Sequence, residues 1–249
     1  MLASVLVRCR DDGVCLIGIN RPERRNALDT ATYAQLGEAL LAADGDAAVR
    51  VIVLSGEGEH FTAGNDLADF QRLKDADAVP GISFLRILSG ISKPVLAAVE
   101  GYAIGIGTTL LLHCDLAYAG RSSKFRLPFV SLGLCPEGAS SHLLPRLAGS
   151  KVAADLLFFG EPFQAKAACE IGLLNEVVED GSALTRAIER ATVLAGLPPG
   201  ALATTKYLLA DSQRDRLKQV MDAEEQDFLR CCAGLEAQTA FSAFFANKK

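Results

Sequence analysis

The sequence predicts an α/β core over residues 1–184 and a helical region over residues 185–249. Three observations support this. Short β-rich runs alternate with glycine-rich loops and helical periods, the pattern of strand–loop–helix units. Ser4–Asn20, SVLVRCRDDGVCLIGIN, holds two such runs around Asp-Asp-Gly, a hairpin signal. After about Leu184 the β-rich runs stop and only helical periods continue.

Each element has a local reason. Pro22 ends the second strand, because proline has no N–H to give to a ladder. Asp29 or Thr30 caps a helix through about Asp44, with Tyr33, Leu36, Leu40 and Leu41 at helical spacing. Val49–Gly56, VRVIVLSG, is a short apolar run of the kind covered on both faces. A glycine-rich loop follows, then a helix starting near Asp66. The pattern recurs as strand PVLAAVEG, loop and helix AIGIGTTLLLHC, and strand DLAYAG. Beyond them, Ala183–Leu197, Pro199–Ala210 and Arg214–Cys232 are helical by period, and Phe241, Phe244 and Phe245 align on one face of a last helix. Helices this short need a surface to pack on, either another subunit or the core.

Composition narrows the function classes. The net charge of −5 leaves no basic field for nucleic acid. The seven cysteines are odd in number and show no CxxC, so they are expected to be reduced thiols in a cytoplasmic protein. The three histidines, His60, His113 and His142, are far apart, and no metal site is expected. The most apolar stretch, Pro94–Leu112, is interrupted by Glu100 and glycines and is expected to be core, not a membrane span.

Three loops carry candidate chemistry. In HFTAGNDL, Gly64 precedes Asn65 and Asp66; in GYAIGIGTTL, Gly105 and Gly107 bracket Ile106. Both patterns suit turns that aim main-chain amides outward near a helix start, where negative charge is favoured. Two such amides on one oxygen would make an oxyanion hole. The third loop, GLCPEGASS, holds Glu137, which suits either a proton-transfer base or an acidic residue in the first turn of a helix. Asp115 after His113 and Cys114 fits a strand start better than a triad. Ser140 and Ser141 suit helix capping.

The segments INRPERRNALD, FTAGNDL, KPVLAAVEGYAIGIGTTLLLHCDLAYA, KFRLPFVSLGLCPEGASSHLLPRLAG and AKAACEIGLLNEVV occur in an order that resembles the crotonase, or enoyl-CoA hydratase/isomerase, superfamily. The resemblance covers nearly the whole chain. It implies a spiral of ββα units, C-terminal helices that trimerise (a homotrimer or a dimer of trimers), and acyl-CoA thioester substrates, with coenzyme A as part of the substrate and no other cofactor. It implies that the N–H groups of Asn65 and Ile106 hold the thioester oxygen. It places Ala27, Ala63, Gly64, Asp66, Leu67 and Gly105 near coenzyme A or the acyl group, and Arg24 and Arg25 near the coenzyme's phosphates.

Hydratases of this superfamily resemble one another in two glutamates; the corresponding positions here are Thr109 and Phe129. Neither side chain can activate water, which disfavours simple hydration. An acidic residue at position 137 resembles the peroxisomal-type Δ3,Δ2-enoyl-CoA isomerases, where one carboxylate carries a proton from C2 to C4 in fatty acid metabolism. Phe129, Leu132 and Leu134 are expected to dry the pocket. The alternatives are hydration or other acyl-CoA chemistry, including dehalogenation with Glu137 as nucleophile, and a non-catalytic acyl-CoA-binding role.

Overall fold

The computed structural model describes residues 3–70, 78–211 and 213–246. The hairpin forms as expected: β1 (Val5–Cys9) and β2 (Val14–Ile19) pair antiparallel, with Val5 opposite Ile19 and Cys9 opposite Cys15. Gly13 turns the chain at φ +83°. Because Cys9 and Cys15 fall opposite each other, they are joined as a disulfide. This corrects the expectation of seven free thiols; pairing across a hairpin register leaves no CxxC trace. Cys114, Cys135, Cys169, Cys231 and Cys232 are free.

The strand β2 continues into a parallel array with β3 (Val51–Gly56), β4 (Val95–Val99), β6 (Leu116–Gly120) and β9 (Glu176–Val178), in the order β1-β2-β3-β4-β6-β9. Side chains alternate across it. Ile52, Leu54, Ala97 and Val99 face Leu36 and Leu40 of α1 (Thr30–Gly45) and Phe84, Leu85 and Leu88 of α3 (Pro80–Gly90). Val51, Val53, Leu96 and Ala98 face the opposite way, onto Ala183, Ala187, Ala191 and Ala195 of α8 (Ala183–Ala195). The alanine stripe lets α8 lie close on the sheet, so this helix belongs to the core although it begins where the helical region was expected to start. α1 is capped by Asp29, whose carboxylate accepts from the Thr32 N–H at 2.8 Å.

A small second sheet, β5-β7-β8, comprises β5 (Tyr102–Ile104), β7 (Lys124–Arg126) and β8 (Phe163–Gln164). Short helices decorate the loops: α2 (Leu67–Phe70), α4 (Ile106–Thr109), α5 (Ser140–Ala148), α6 (Ser150–Phe159) and α7 (Ala165–Glu170). The last helices are α9 (Pro199–Asp211), α10 (Arg214–Ala233) and α11 (Leu235–Ala246). α10 and α11 fold back on the core: Phe228, Cys232, Ala237 and Phe241 pack against Val79, Ile82, Leu127, Phe129 and Leu134. Arg86 of α3 pins α10 through ion pairs at 2.7 Å to Asp222 and Glu225. Phe244 and Phe245, expected on the same face as Phe241, have side chains outside the described ones. No helix among the described residues is long and apolar enough to cross a membrane.

Candidate active site

The first two loops meet because the first pairs with β5, the strand that opens the second. Thr62 bridges Ala103 in parallel, the Phe61 N–H bonds Glu100 O, the Thr62 N–H bonds Tyr102 O, and the Ile104 N–H returns to Thr62 O. The loop 61–65 therefore runs beside β5 until Gly64 (φ +85°) turns it, and a Cβ there would strike the carbonyl oxygen of Ile104. On its other side the loop is held by residues 25–28. Ala63 N–H bonds Arg25 O, Leu28 N–H bonds Gly64 O, and Asp66 N–H bonds Leu28 O. In that ladder Asn65 lies between two paired residues, so its own N–H points away from it. Gly105 (φ +56°) turns the chain into α4, whose first N–H is that of Ile106 and has no intrahelical acceptor. Among the described residues neither the Asn65 nor the Ile106 N–H is spent in a hydrogen bond. The two sites expected to grip an oxygen are thus adjacent and free.

Two residues that motif reading missed lock this arrangement. Asn26, fully buried at φ +56°, accepts from Arg21 N–H and donates to Glu57 O and His60 O at 2.9 and 2.6 Å. Arg21, not Arg24 or Arg25, is the anchored arginine: it bonds Ala27 O and pairs with Asp29 at 3.0 Å and Asp66 at 3.5 Å. Arg24 and Arg25 are exposed, with Arg25 lying over the Tyr102 ring. Their spacing in RPERR gave no hint of this division. A small groove opens beside Asn65, lined by Leu28, Tyr33, Asp66, Val79, Pro80 and Gly81 among others. Tyr33 is buried here, and its hydroxyl donates to Asn65 Oδ1 at 2.5 Å.

Glu137 is 1 % exposed and precedes α5 by three residues. It therefore lies just outside the first turn of that helix. Burial raises its carboxyl to a pKa of about 8; the Thr109 hydroxyl, donating to Oε1 at 2.5 Å, opposes this, and the carboxylate of Glu224 adds to it. Thr109, which stands where hydratases of the superfamily carry a glutamate, turns its hydroxyl to the acid. His113, pushed down to about 4 by burial, is neutral, and its Nε2–H donates to Gly138 O at 2.7 Å.

Glu137 is not among the residues that line the groove at Asn65. The packing there is tight: a Cβ on Gly81 would come within 2.8 Å of Ile106 Cδ1. Phe129 and Leu134, expected on the pocket wall, lie in the apolar cluster under α10 and α11, where Leu67 and Leu132 pack as well. Ser140 and Ser141 do not cap α5 by themselves. Ser140 Oγ donates to Glu137 O, and Ser141 Oγ donates to Glu224. Asp115 holds a strand start, accepting from Val95 N–H and Lys206 at 2.7 Å, and takes no part in a triad.

The profile of the enoyl-CoA hydratase/isomerase family matches residues 10–249. The chain belongs to that family. It is 35 % identical over 235 residues to human enoyl-CoA delta isomerase 2, covering 91 % of this chain and 59 % of that one, so it spans less than two thirds of that relative's length. It is 34 % identical over 248 residues to the 2,3-dehydroadipyl-CoA hydratase of Escherichia coli K12, covering 98 % of this chain and 97 % of that one. The structure of Pseudomonas aeruginosa OdaA superposes with a TM-score of 0.93 at 40 % identity, covering 97 % of this chain and 98 % of that one. The family shares the crotonase fold, and this member has it. Its relatives include isomerases and hydratases, so membership alone does not name the reaction.

Proposed function

We propose that this enzyme is a Δ3,Δ2-enoyl-CoA isomerase. One observation carries the proposal: among the described residues Glu137 is a buried acid whose one side-chain partner is the Thr109 hydroxyl, while the hydratase positions carry Thr109 and buried Phe129. Glu224 is the other carboxylate nearby, and it is occupied by hydrogen bonds from Ala139 and Ser141. Hydration needs a gripped and activated water, whereas a double-bond shift needs one base that returns the proton it takes.

In the proposed reaction the N–H groups of Asn65 and Ile106 hold the thioester oxygen. The Glu137 carboxylate removes a proton from C2, and the C2–H electron pair enters the carbonyl, giving a dienolate whose oxygen the two amides stabilise. The electrons return through C2=C3 to C4, which takes the same proton. Nothing is oxidised and no water is consumed. Losing one oxyanion donor would cost about 3–4 kcal/mol of transition-state stabilisation. For the acyl chain to reach Glu137, α3 must ease away from Ile106 and Tyr33. Arg24 and Arg25, exposed beside the Asn65 loop, would meet the phosphates of coenzyme A. The exposed Leu208 and Leu209 of α9 and Phe158 and Phe159 of α6 support assembly as a homotrimer or a dimer of trimers.

The test is kinetic. With a 3-enoyl-CoA the conjugated thioester should appear, and Glu137→Gln, which keeps size and removes the base, should lower kcat by about 10²–10⁴-fold. Unchanged turnover in that variant refutes the role. Formation of 3-hydroxyacyl-CoA from a 2-enoyl-CoA at a comparable rate would favour a hydratase.

A further inference from the structure

The turn that follows Glu137 is unusual in its backbone. Gly138 and Ala139 both have positive φ, +68° and +56°. For alanine this left-handed conformation costs on the order of 1 kcal/mol and persists only where neighbours enforce it. The enforcing group is not local. Glu224, 8 % exposed and midway along α10, accepts hydrogen bonds from Ala139 N–H at 2.5 Å, Ser141 N–H at 3.1 Å and Ser141 Oγ at 2.5 Å. These groups begin α5, so a distant carboxylate does the work of an N-cap. Glu137 lies two residues before the first of them, and its own carbonyl is held by Ser140 Oγ. On the inner side the same turn is fixed by His113 on Gly138 O.

We infer that Glu224 is a positioning residue for Glu137: reaching from the C-terminal helical region, it holds the left-handed turn that aims the acid inward. The inference rests on the isomerase reading for its kinetic consequence and on geometry alone for its structural one. It also makes the C-terminal region part of the site, since α10 reaches the turn through this side chain while Glu225, the next residue, anchors α3 through Arg86.

Glu224 has an electrostatic consequence as well. The groups around Glu137 are Thr109 of α4, Tyr33 of α1, neutral His113 and Glu224. Around Glu224 lie the Ser141 and Ala139 donors and the Cys135 thiol, which burial pushes up to about 12 and so keeps uncharged. Among the described residues no cation forms an ion pair with either carboxyl. Burial raises the Glu224 carboxyl and the Ser141 and Ala139 donors oppose that; a negative charge on Glu224 adds to burial in keeping the proton on Glu137, against the Thr109 hydroxyl.

The experiment uses the full chain with 13C-labelled glutamate. It combines an NMR titration of Glu137, assigned by its loss in Glu137→Gln, with pH profiles of 3-enoyl-CoA turnover. In Glu224→Gln the Glu137 titration should move down by roughly one unit, tenfold in proton affinity. At high pH, where Glu137 is ionised in both proteins, kcat should fall about tenfold while KM changes little, because the amide holds the turn less well. Glu224→Asp keeps the charge and shortens the reach: its titration should stay near that of the wild type while kcat falls. Ser141→Ala removes one donor, tolerates folding more readily, and should lower kcat in the same direction by less. The inference is overturned if both Glu224 variants keep the wild-type high-pH kcat and titration. If Glu137→Gln turns over at the wild-type rate, the isomerase reading fails instead, and the NMR titration continues to decide the role of Glu224.

Discussion

The loops that carry Asn65 and Ile106 are fixed by main chain, whereas the loop that carries Glu137 is fixed by side chains arriving from elsewhere. In the first case Phe61 and Thr62 bond to residues 100–104 on one side, and Ala63, Gly64 and Asp66 bond to residues 25–28 on the other. In the second, Thr109, His113 and Glu224 converge from α4, the turn after it and α10, the last at a separation of 85 residues from Ala139. The difference suits the proposed tasks. An oxyanion grip needs two uncharged donors that do not move, which a ladder supplies. A shuttling acid needs a proton affinity near working pH, which a ladder cannot tune but burial and a neighbouring charge can.

Raising the pH should act on the second region and leave the first untouched. The Glu137 carboxyl is held near 8 in the folded chain against 4.5 as its ordinary value. Between those values the native state keeps a proton that the unfolded state has released, so stability falls as pH rises across that window. The full shift corresponds to at most about 5 kcal/mol. Thermal unfolding at pH 5 and pH 9 should therefore show Glu137→Gln gaining on the wild type as pH rises; a gap that does not widen would mean the acid is not buried as described.

Gly64→Ala breaks the first region and spares the second. The added Cβ meets the Ile104 carbonyl from a backbone at φ +85° and must displace the Asn65 N–H. We expect kcat to fall by about 10²–10³-fold, the scale of one lost oxyanion donor. The Glu137 titration should stay in place, and NMR would show whether it does.

Thr109→Val has a smaller effect and sharpens the comparison. It deletes the hydrogen bond that favours ionised Glu137, so the carboxyl should titrate higher and the acid limb of the kcat/KM profile should move up in pH. At pH 7 the loss should be about tenfold, as expected for a hydrogen bond to a charged group. An acid limb that stays put would show that the Thr109 bond is not made to the ionised form.

The same contrast explains what the sequence shows and what it hides. The hairpin, the Asp29 cap, the parallel strands and the glycine turns at Gly64 and Gly105 were legible because their causes are local: a turn residue, a capping side chain, a φ that glycine accepts. Glu137 stood out by residue type. Its supports did not. Glu224 looks like any acid on a charged helix, in DAEEQD, and only folding α10 back across the core brings it to Ala139. Asn26 sat in view within a quoted motif, yet its hydrogen-bonding role depends on where Glu57 and His60 pass. Phe129 and Leu134 pack in the cluster under α10 and α11, a placement the sequence did not show because an apolar residue beside an acid suits a pocket wall and a helix-packing cluster equally well.

The most direct measurement follows the proton itself. A 3-enoyl-CoA carrying deuterium at C2 is converted in ordinary water under single-turnover conditions, and the product is examined for deuterium at C4. Because Glu137 is enclosed, a measurable share of the label should arrive at C4, and Glu137→Gln should deliver none. Product that carries no deuterium at C4 even at the earliest times, from an enzyme that still isomerises, would contradict a single buried acid as the carrier.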